Sequence, residues 1–153
     1  MKQYDKLIFV DSDDTTRAPM AKAIMKSKVM MGKLEILSRG LVVLFPEPIN
    51  QKAEAVLISN GYNTKDHSAI PFTQEDIDDR TLILTMEDDQ KDKIWASFEH
   101  AMNVWTIAEF AGQSGDVRTL YGEPLAAYGK CYENLENLIS EIVIQLNEEE
   151  LRK

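Results

Sequence analysis

Val10-Asp11-Ser12-Asp13-Asp14-Thr15-Thr16-Arg17-Ala18-Pro19-Met20-Ala21 is the stretch from which the fold of this chain can be read. It continues an apolar run, Lys6-Leu7-Ile8-Phe9-Val10, whose uninterrupted hydrophobicity predicts a strand buried on both faces. Pro19 stands where a first helical turn tolerates a missing N–H, and Met20, Ala23, Ile24 and the residues to Met31 continue at helical spacing. Asp11 to Ala18 is therefore a polar loop leading from the carboxyl end of a strand into the start of a helix.

Outward from that loop the same alternation repeats. Gly32 reads as the end of the first helix, and Leu34 to Ser38 as a second strand. A helix is expected from about Ile49 to Asn60, stopped by Gly61. Thr73 followed by Asp76 has the spacing of an N-cap pair. Thr81 to Thr85 predicts a third strand, Glu87 to Phe98 a helix, and Met102 to Thr106 a fourth strand. Leu125, Tyr128, Tyr132, Leu135, Ile139, Ile142 and Leu146 recur at three-four spacing and predict a long amphipathic last helix. Strands separated by helices imply an α/β fold, a three-layer parallel sheet with helices on both faces. Ligands of such sheets bind beyond the carboxyl ends of the strands, which points back to the Asp11 loop.

That loop resembles the phosphate-binding loop of the low-molecular-weight protein tyrosine phosphatases, V-C-x-G-N-x-C-R-S-P-x-A, a fold shared with some arsenate reductases. Ser38-Arg39-Gly40, Leu82 to Met86, Trp105 to Phe110, Gly115-Asp116-Val117, Tyr121-Gly122 and Pro124 to Tyr128 resemble further family segments in the same order. The resemblance implies one domain over residues 1–153 and a four-stranded sheet in the order 2-1-3-4. It also implies a phosphatase chemistry: a cysteine thiolate nucleophile, loop N–H groups and an arginine that cradle the phosphoryl oxygens, and an aspartic acid on a D-P-[YF] loop that protonates the leaving group.

Against that pattern the chain departs at specific places. Asp11 stands at the nucleophile position, Asp13 at the loop glycine, Asp14 at the loop asparagine and Ala18 at the thiolate-stabilising serine. Ser12, Thr15 and Thr16 fill the remaining loop positions. Thr119 aligns with the general acid and Leu120 with its proline, while Arg17, Pro19 and the crevice-walling Tyr121 remain. These departures cohere, since no thiolate needs a serine and no phosphocysteine needs an acid. Aspartate also visits left-handed backbone, so Asp14 allows the turn to survive. Two unit charges about 4 Å apart interact by roughly 4 kcal/mol at an effective dielectric near 20, so Asp11 should repel a phosphate dianion. Paired with Arg17, Asp11 would instead be an internal substitute for the missing anion. The expectation is a phosphatase homologue without a catalytic residue, acting as a binding or regulatory pseudophosphatase.

Asp11-Ser12-Asp13-Asp14-Thr15 after an apolar strand also resembles the D-x-D-x-T motif of the haloacid dehalogenase phosphatases, in which an aspartate is the nucleophile and magnesium offsets the charge. Thr85 and Glu87-Asp88-Asp89 fit its remaining roles poorly. The alternative keeps Asp11 as a nucleophile, or Asp11 and Asp13 as oxygen ligands of Mg²⁺ or Ca²⁺; otherwise no cofactor and no metal is expected.

Composition narrows the partners. A net charge of −9 disfavours nucleic acid and anionic membrane, both polyanions, which leaves a protein or small-molecule ligand that the sequence does not name. No apolar run reaches the roughly 20 residues of a membrane helix, and the start Met1-Lys2-Gln3-Tyr4-Asp5 lacks a signal-peptide core, so a cytoplasmic location is expected. The single cysteine, Cys131, fits a reducing compartment and reads as a packed helical residue. His67 and His100 read as ordinary hydrogen-bonding or surface histidines, Trp95 and Trp105 as core or helix-packing residues, and Glu87-Asp88-Asp89 as acids at a helix N-terminus that add negative potential near Asp11.

Overall fold

The computed structural model describes residues 3–152, so the Met1-Lys2 start lies outside the described residues. Four parallel strands, β1 (Lys6–Asp11), β2 (Glu35–Gly40), β3 (Thr81–Thr85) and β4 (Val104–Thr106), form one sheet in the order β2-β1-β3-β4. The helices are α1 (Arg17–Lys26), α2 (Gln51–Ser59), α3 (Asp88–Ser97), α4 (Ile107–Phe110) and α5 (Leu125–Leu151). The two inner strands, β1 and β3, are buried on both faces, so each face of the sheet must be covered.

Side-chain alternation divides β1 between two cores. Leu7 and Phe9 pack with Leu82 and Leu84 of β3 against α1, α2 and α5, where Met20, Ile24, Leu57, Leu135 and Ile139 are buried. Ile8 and Val10 turn to the other face with Ile83, Val104, Phe72 and Ile94 of α3. Phe9 is fully buried, and its truncation to alanine should cost roughly 3–5 kcal/mol.

Several boundaries differ from the sequence expectation. Helix α1 begins at Arg17 and ends at Lys26, where the Ser27 hydroxyl and amide bond back to the Ile24 carbonyl, so Met31 lies beyond it. Pro19 is its third residue, still within the turn that needs no intrahelical N–H. Asn50 caps α2, its side chain accepting from the amides of Lys52 and Ala53. Thr73 to Asp76 makes a short 3₁₀ turn, Gln74–Asp76, with the Asp76 carboxylate accepting the Thr73 amide. Trp95 and Trp105 are 52% and 44% exposed, so neither belongs to the core, and Trp105 takes the helix-packing place, edge-on against Phe110 of α4 with ring centroids 6.0 Å apart. Cys131 is buried on α5, as its spacing with Tyr128 and Tyr132 predicts. Among the described residues, no helix is long and apolar enough to cross a membrane.

Candidate functional site

The carboxyl end of β1 opens onto a cleft of about 600 Å³. The loop residues Asp11, Ser12, Asp13, Thr15, Thr16 and Arg17 form its floor. Asn50 to Lys52 and the segment Thr119 to Gly122 form its walls. β1, an interior strand of the sheet with α1 after it, delivers the loop to this edge.

Asp11 closes the loop on itself. Its Oδ1 accepts the Asp14 amide at 2.7 Å and its Oδ2 the Ala18 amide at 2.9 Å. Asp13 does the same locally, its Oδ1 accepting both the amide (3.2 Å) and the hydroxyl (2.7 Å) of Thr15. Three N–H groups of the loop are thus satisfied by the loop's own carboxylates. Burial pushes the Asp11 carboxyl up to about 6, against the Ala18 amide, the Arg17 charge and the Asp14 amide, which hold it down.

Asp14 adopts a left-handed backbone, φ 59°, so the turn that glycine or asparagine favours is kept. Its carboxylate points away from the cleft, Oδ2 accepting the Ile70 amide at 3.0 Å, and its carbonyl takes a 2.6 Å contact from Nε2 of His67. Burial raises its carboxyl above the ordinary range, opposed by the Ser38 hydroxyl, the Ile70 amide, and the Lys22 and Arg39 charges. Burial also lowers the His67 imidazole, so His67 is neutral near pH 7 and donates from Nε2 while Nδ1 faces the Lys22 ammonium at 3.4 Å. His67 therefore belongs to the support of the loop. No spacing in the sequence signalled it, because it reaches Asp14 from 53 residues away.

Arg17 is buried, and its ion-pair partner corrects the expected one. Nη1 lies 2.8 Å from Oε2 of Glu87 and 2.6 Å from the Val117 carbonyl, while Nη2 donates to the Ser12 hydroxyl at 3.2 Å. Asp11 does not pair with Arg17, because the amides of Asp14 and Ala18 hold its oxygens. Glu87 follows the carboxyl end of β3, which is how an acid at the start of α3 comes to face α1. Gln90 braces it, donating to Glu87 Oε2 at 3.1 Å and accepting the Met86 and Glu87 amides.

The far wall is open. Tyr121 is 93% exposed, and the Thr119 hydroxyl accepts its amide at 3.3 Å, so neither side chain reaches across the cleft. Lys52 donates to the Glu123 carbonyl at 2.8 Å and lies over the Tyr128 ring, 5.7 Å from its centroid. Among the described residues, no group of three or more His, Cys, Asp or Glu side chains is arranged to hold a metal ion. Both oxygens of Asp11 and Oδ1 of Asp13, the atoms that the alternative reading would give to a divalent cation, are turned onto N–H and O–H donors.

Residues 6–153 match the family model described as low molecular weight phosphotyrosine protein phosphatase. The chain belongs to that family. This phosphatase-family chain is 29% identical over 147 residues to a protein-arginine-phosphatase of Geobacillus stearothermophilus, covering 95% of this chain and 98% of the relative. It is 29% identical over 137 residues to the low molecular weight protein-tyrosine-phosphatase PtpB of Staphylococcus epidermidis, covering 90% and 96%. Among solved structures, the arginine phosphatase YwlE of G. stearothermophilus superposes with a TM-score of 0.90 at 30% identity, covering 96% of each chain. A low molecular weight protein tyrosine phosphatase from T. tengcongensis gives 0.85 at 34% identity, covering 92% of this chain and 99% of its own.

Proposed function

We propose that this member of the phosphatase family has left cysteine-based phosphoryl transfer and serves as a binding or regulatory protein. The observation that carries the reading is the Asp11 carboxylate seated on the Asp14 and Ala18 amides. A phosphoryl dianion entering the loop would compete with a carboxylate for those donors and meet its charge at close range. A carboxylate held by two N–H bonds is also a poor nucleophile, and Thr119 supplies no acid to a leaving oxygen at neutral pH.

The test is hydrolysis of a simple aryl phosphate and reduction of arsenate, each with and without magnesium, in the natural chain and in the Asp11→Asn variant. The expected result is no turnover by either protein in any condition. Metal-free hydrolysis by the natural chain would overturn the proposal. Magnesium-dependent turnover lost in Asp11→Asn would replace it with an aspartate-based phosphatase. As a positive control, Asp11→Cys combined with Asp13→Gly, Ala18→Ser and Thr119→Asp rebuilds the family pattern, and hydrolysis should appear in that variant.

A further inference from the structure

Beside the Asp11 loop the chain presents an apolar platform that no element covers among the described residues. After β2 the chain runs through Leu41-Val42-Val43-Leu44-Phe45, and Val42, Leu44 and Phe45 are 66%, 87% and 60% exposed. Ile70, 45% exposed, lies on the segment that pairs with the end of β2, its carbonyl accepting the Gly40 amide at 2.9 Å. Exposure here is not fraying. The Leu41 and Val42 amides donate to the carbonyls of Asp11 and Ser12 at 3.0 and 2.8 Å, and the Glu47 carbonyl accepts the Ala69 amide at 2.8 Å. The backbone is tied at both ends, and it holds large apolar side chains in water, which is costly without a partner.

Two hollows flank Val42. One, of about 180 Å³, lies between Asp13, Val42, Leu44, Phe45 and Glu47; the other, of about 210 Å³, lies between Asp13, Val42, Glu87, Asp89 and Lys93. In the second, Glu87 is neutralised by Arg17, and Asp89 by Lys93 at 3.6 Å. Asp13 and Glu47 have no cationic partner among the described residues, so the rim of the apolar patch is acidic on both sides of Phe45. A second copy of the chain would bring the same rim and the same net charge of −9 against it, and an anionic membrane surface would be repelled likewise.

From this complementarity we propose that the Val42–Phe45 platform docks a segment of another protein in which an apolar side chain is flanked by lysine or arginine. The apolar residue fills the hollow beside Phe45, and the flanking cations meet Asp13 and Glu47. This names the partner chemistry of the binding role proposed above and rests on that reading, but its surface lies beside the Asp11 cradle and shares only Asp13 with it.

The probe is a fluorescent synthetic peptide with a central Leu-Phe pair flanked by lysines. Its controls carry glutamate for each lysine, or alanine for the Leu-Phe pair. Binding is followed by anisotropy at low and high salt, and by amide shifts of the labelled full chain. Expected are binding of the basic–apolar peptide alone, shifts at residues 41–47 and 70, and weakening by salt. Leu44→Ser with Phe45→Ser should weaken binding at least tenfold, and Glu47→Lys at least threefold, with unchanged thermal midpoints. Equal binding of the glutamate peptide, shifts confined to other residues, or no binding would overturn the inference. A dimer in sedimentation that is lost with Phe45→Ser, or capture by phosphatidylserine vesicles lost in the same variant, would assign the platform to a second copy or to a membrane instead. Aryl phosphate hydrolysis with peptide binding intact would defeat only the non-catalytic reading; absent hydrolysis with absent peptide binding would defeat only this one.

Discussion

Oδ2 of Asp11 lies 2.9 Å from the amide nitrogen of Ala18, the second residue of α1. A residue at the end of a strand thus caps the helix that follows it. The Thr16 side chain makes no cap, and the first turn of α1 holds no acid, so Asp11 is the carboxylate that meets the positive helix terminus. That role gives Asp11 a structural reason to be present, independent of any nucleophilic one.

The cap titrates. Burial lifts the Asp11 carboxyl from the ordinary carboxylate value to about 6, so between roughly pH 4 and 6 the folded chain holds a proton that the unfolded chain has released. This contribution to stability is present below the lower value and is lost as pH rises through about 6. Two units correspond to about 3 kcal/mol as an upper bound. Urea unfolding of the natural chain and of Asp11→Asn should therefore diverge across that window, with the natural chain losing ground as pH rises. Parallel pH profiles would refute the assignment. Vanadate binding should move with it: tighter by at least tenfold in Asp11→Asn at pH 7.5, and rising in the natural chain as pH falls through 6.

Asp14 carries two burdens, a left-handed backbone and the carboxylate that accepts the half-buried Ile70 amide. Asparagine satisfies both without a buried charge, so Asp14→Asn should be neutral or stabilising at pH 7. Asp14→Ala should cost about 2–4 kcal/mol, from backbone strain and a lost acceptor. Equal stability of the two variants in urea would show that the side chain supports nothing.

Gly40 lies where β2 meets the loop. A Cβ placed there would fall 2.5 Å from the Asp13 carbonyl carbon and 2.7 Å from the Asp14 amide nitrogen, closer than atoms pack. Gly40→Ala should destabilise by about 1–3 kcal/mol and shift the amide resonances of Asp13 and Asp14. An unperturbed loop in that variant would contradict the close approach.

Cys131 offers a control on thiol chemistry. Burial on α5 pushes its thiol up to about 11, with the Asp11 charge adding to the rise and Arg17 opposing it. Iodoacetamide at pH 7.5 should leave the folded chain largely unmodified and label it fully in urea, as read by intact mass. Rapid labelling of the folded chain would expose a reactive thiol near the loop and reopen a cysteine-based mechanism.

The pattern of the chain was enough for the sheet, its order by resemblance, the loop at its carboxyl edge and the long α5, because buried strands and an amphipathic helix write their periods directly into local composition. It was also enough to show that an aspartate, not a thiol, ends β1. Local pattern could not say where the Asp11 oxygens point. The choice between the Arg17 guanidinium and the Asp14 and Ala18 amides depends on Glu87 and the Val117 carbonyl, 70 and 100 residues from Arg17, reaching it first. The same holds for His67 beneath Asp14 and for the half-exposed Trp95. Hydrogen-bond partners and exposure are properties of surfaces brought together by the sheet, and no short-range spacing encodes which distant group arrives there.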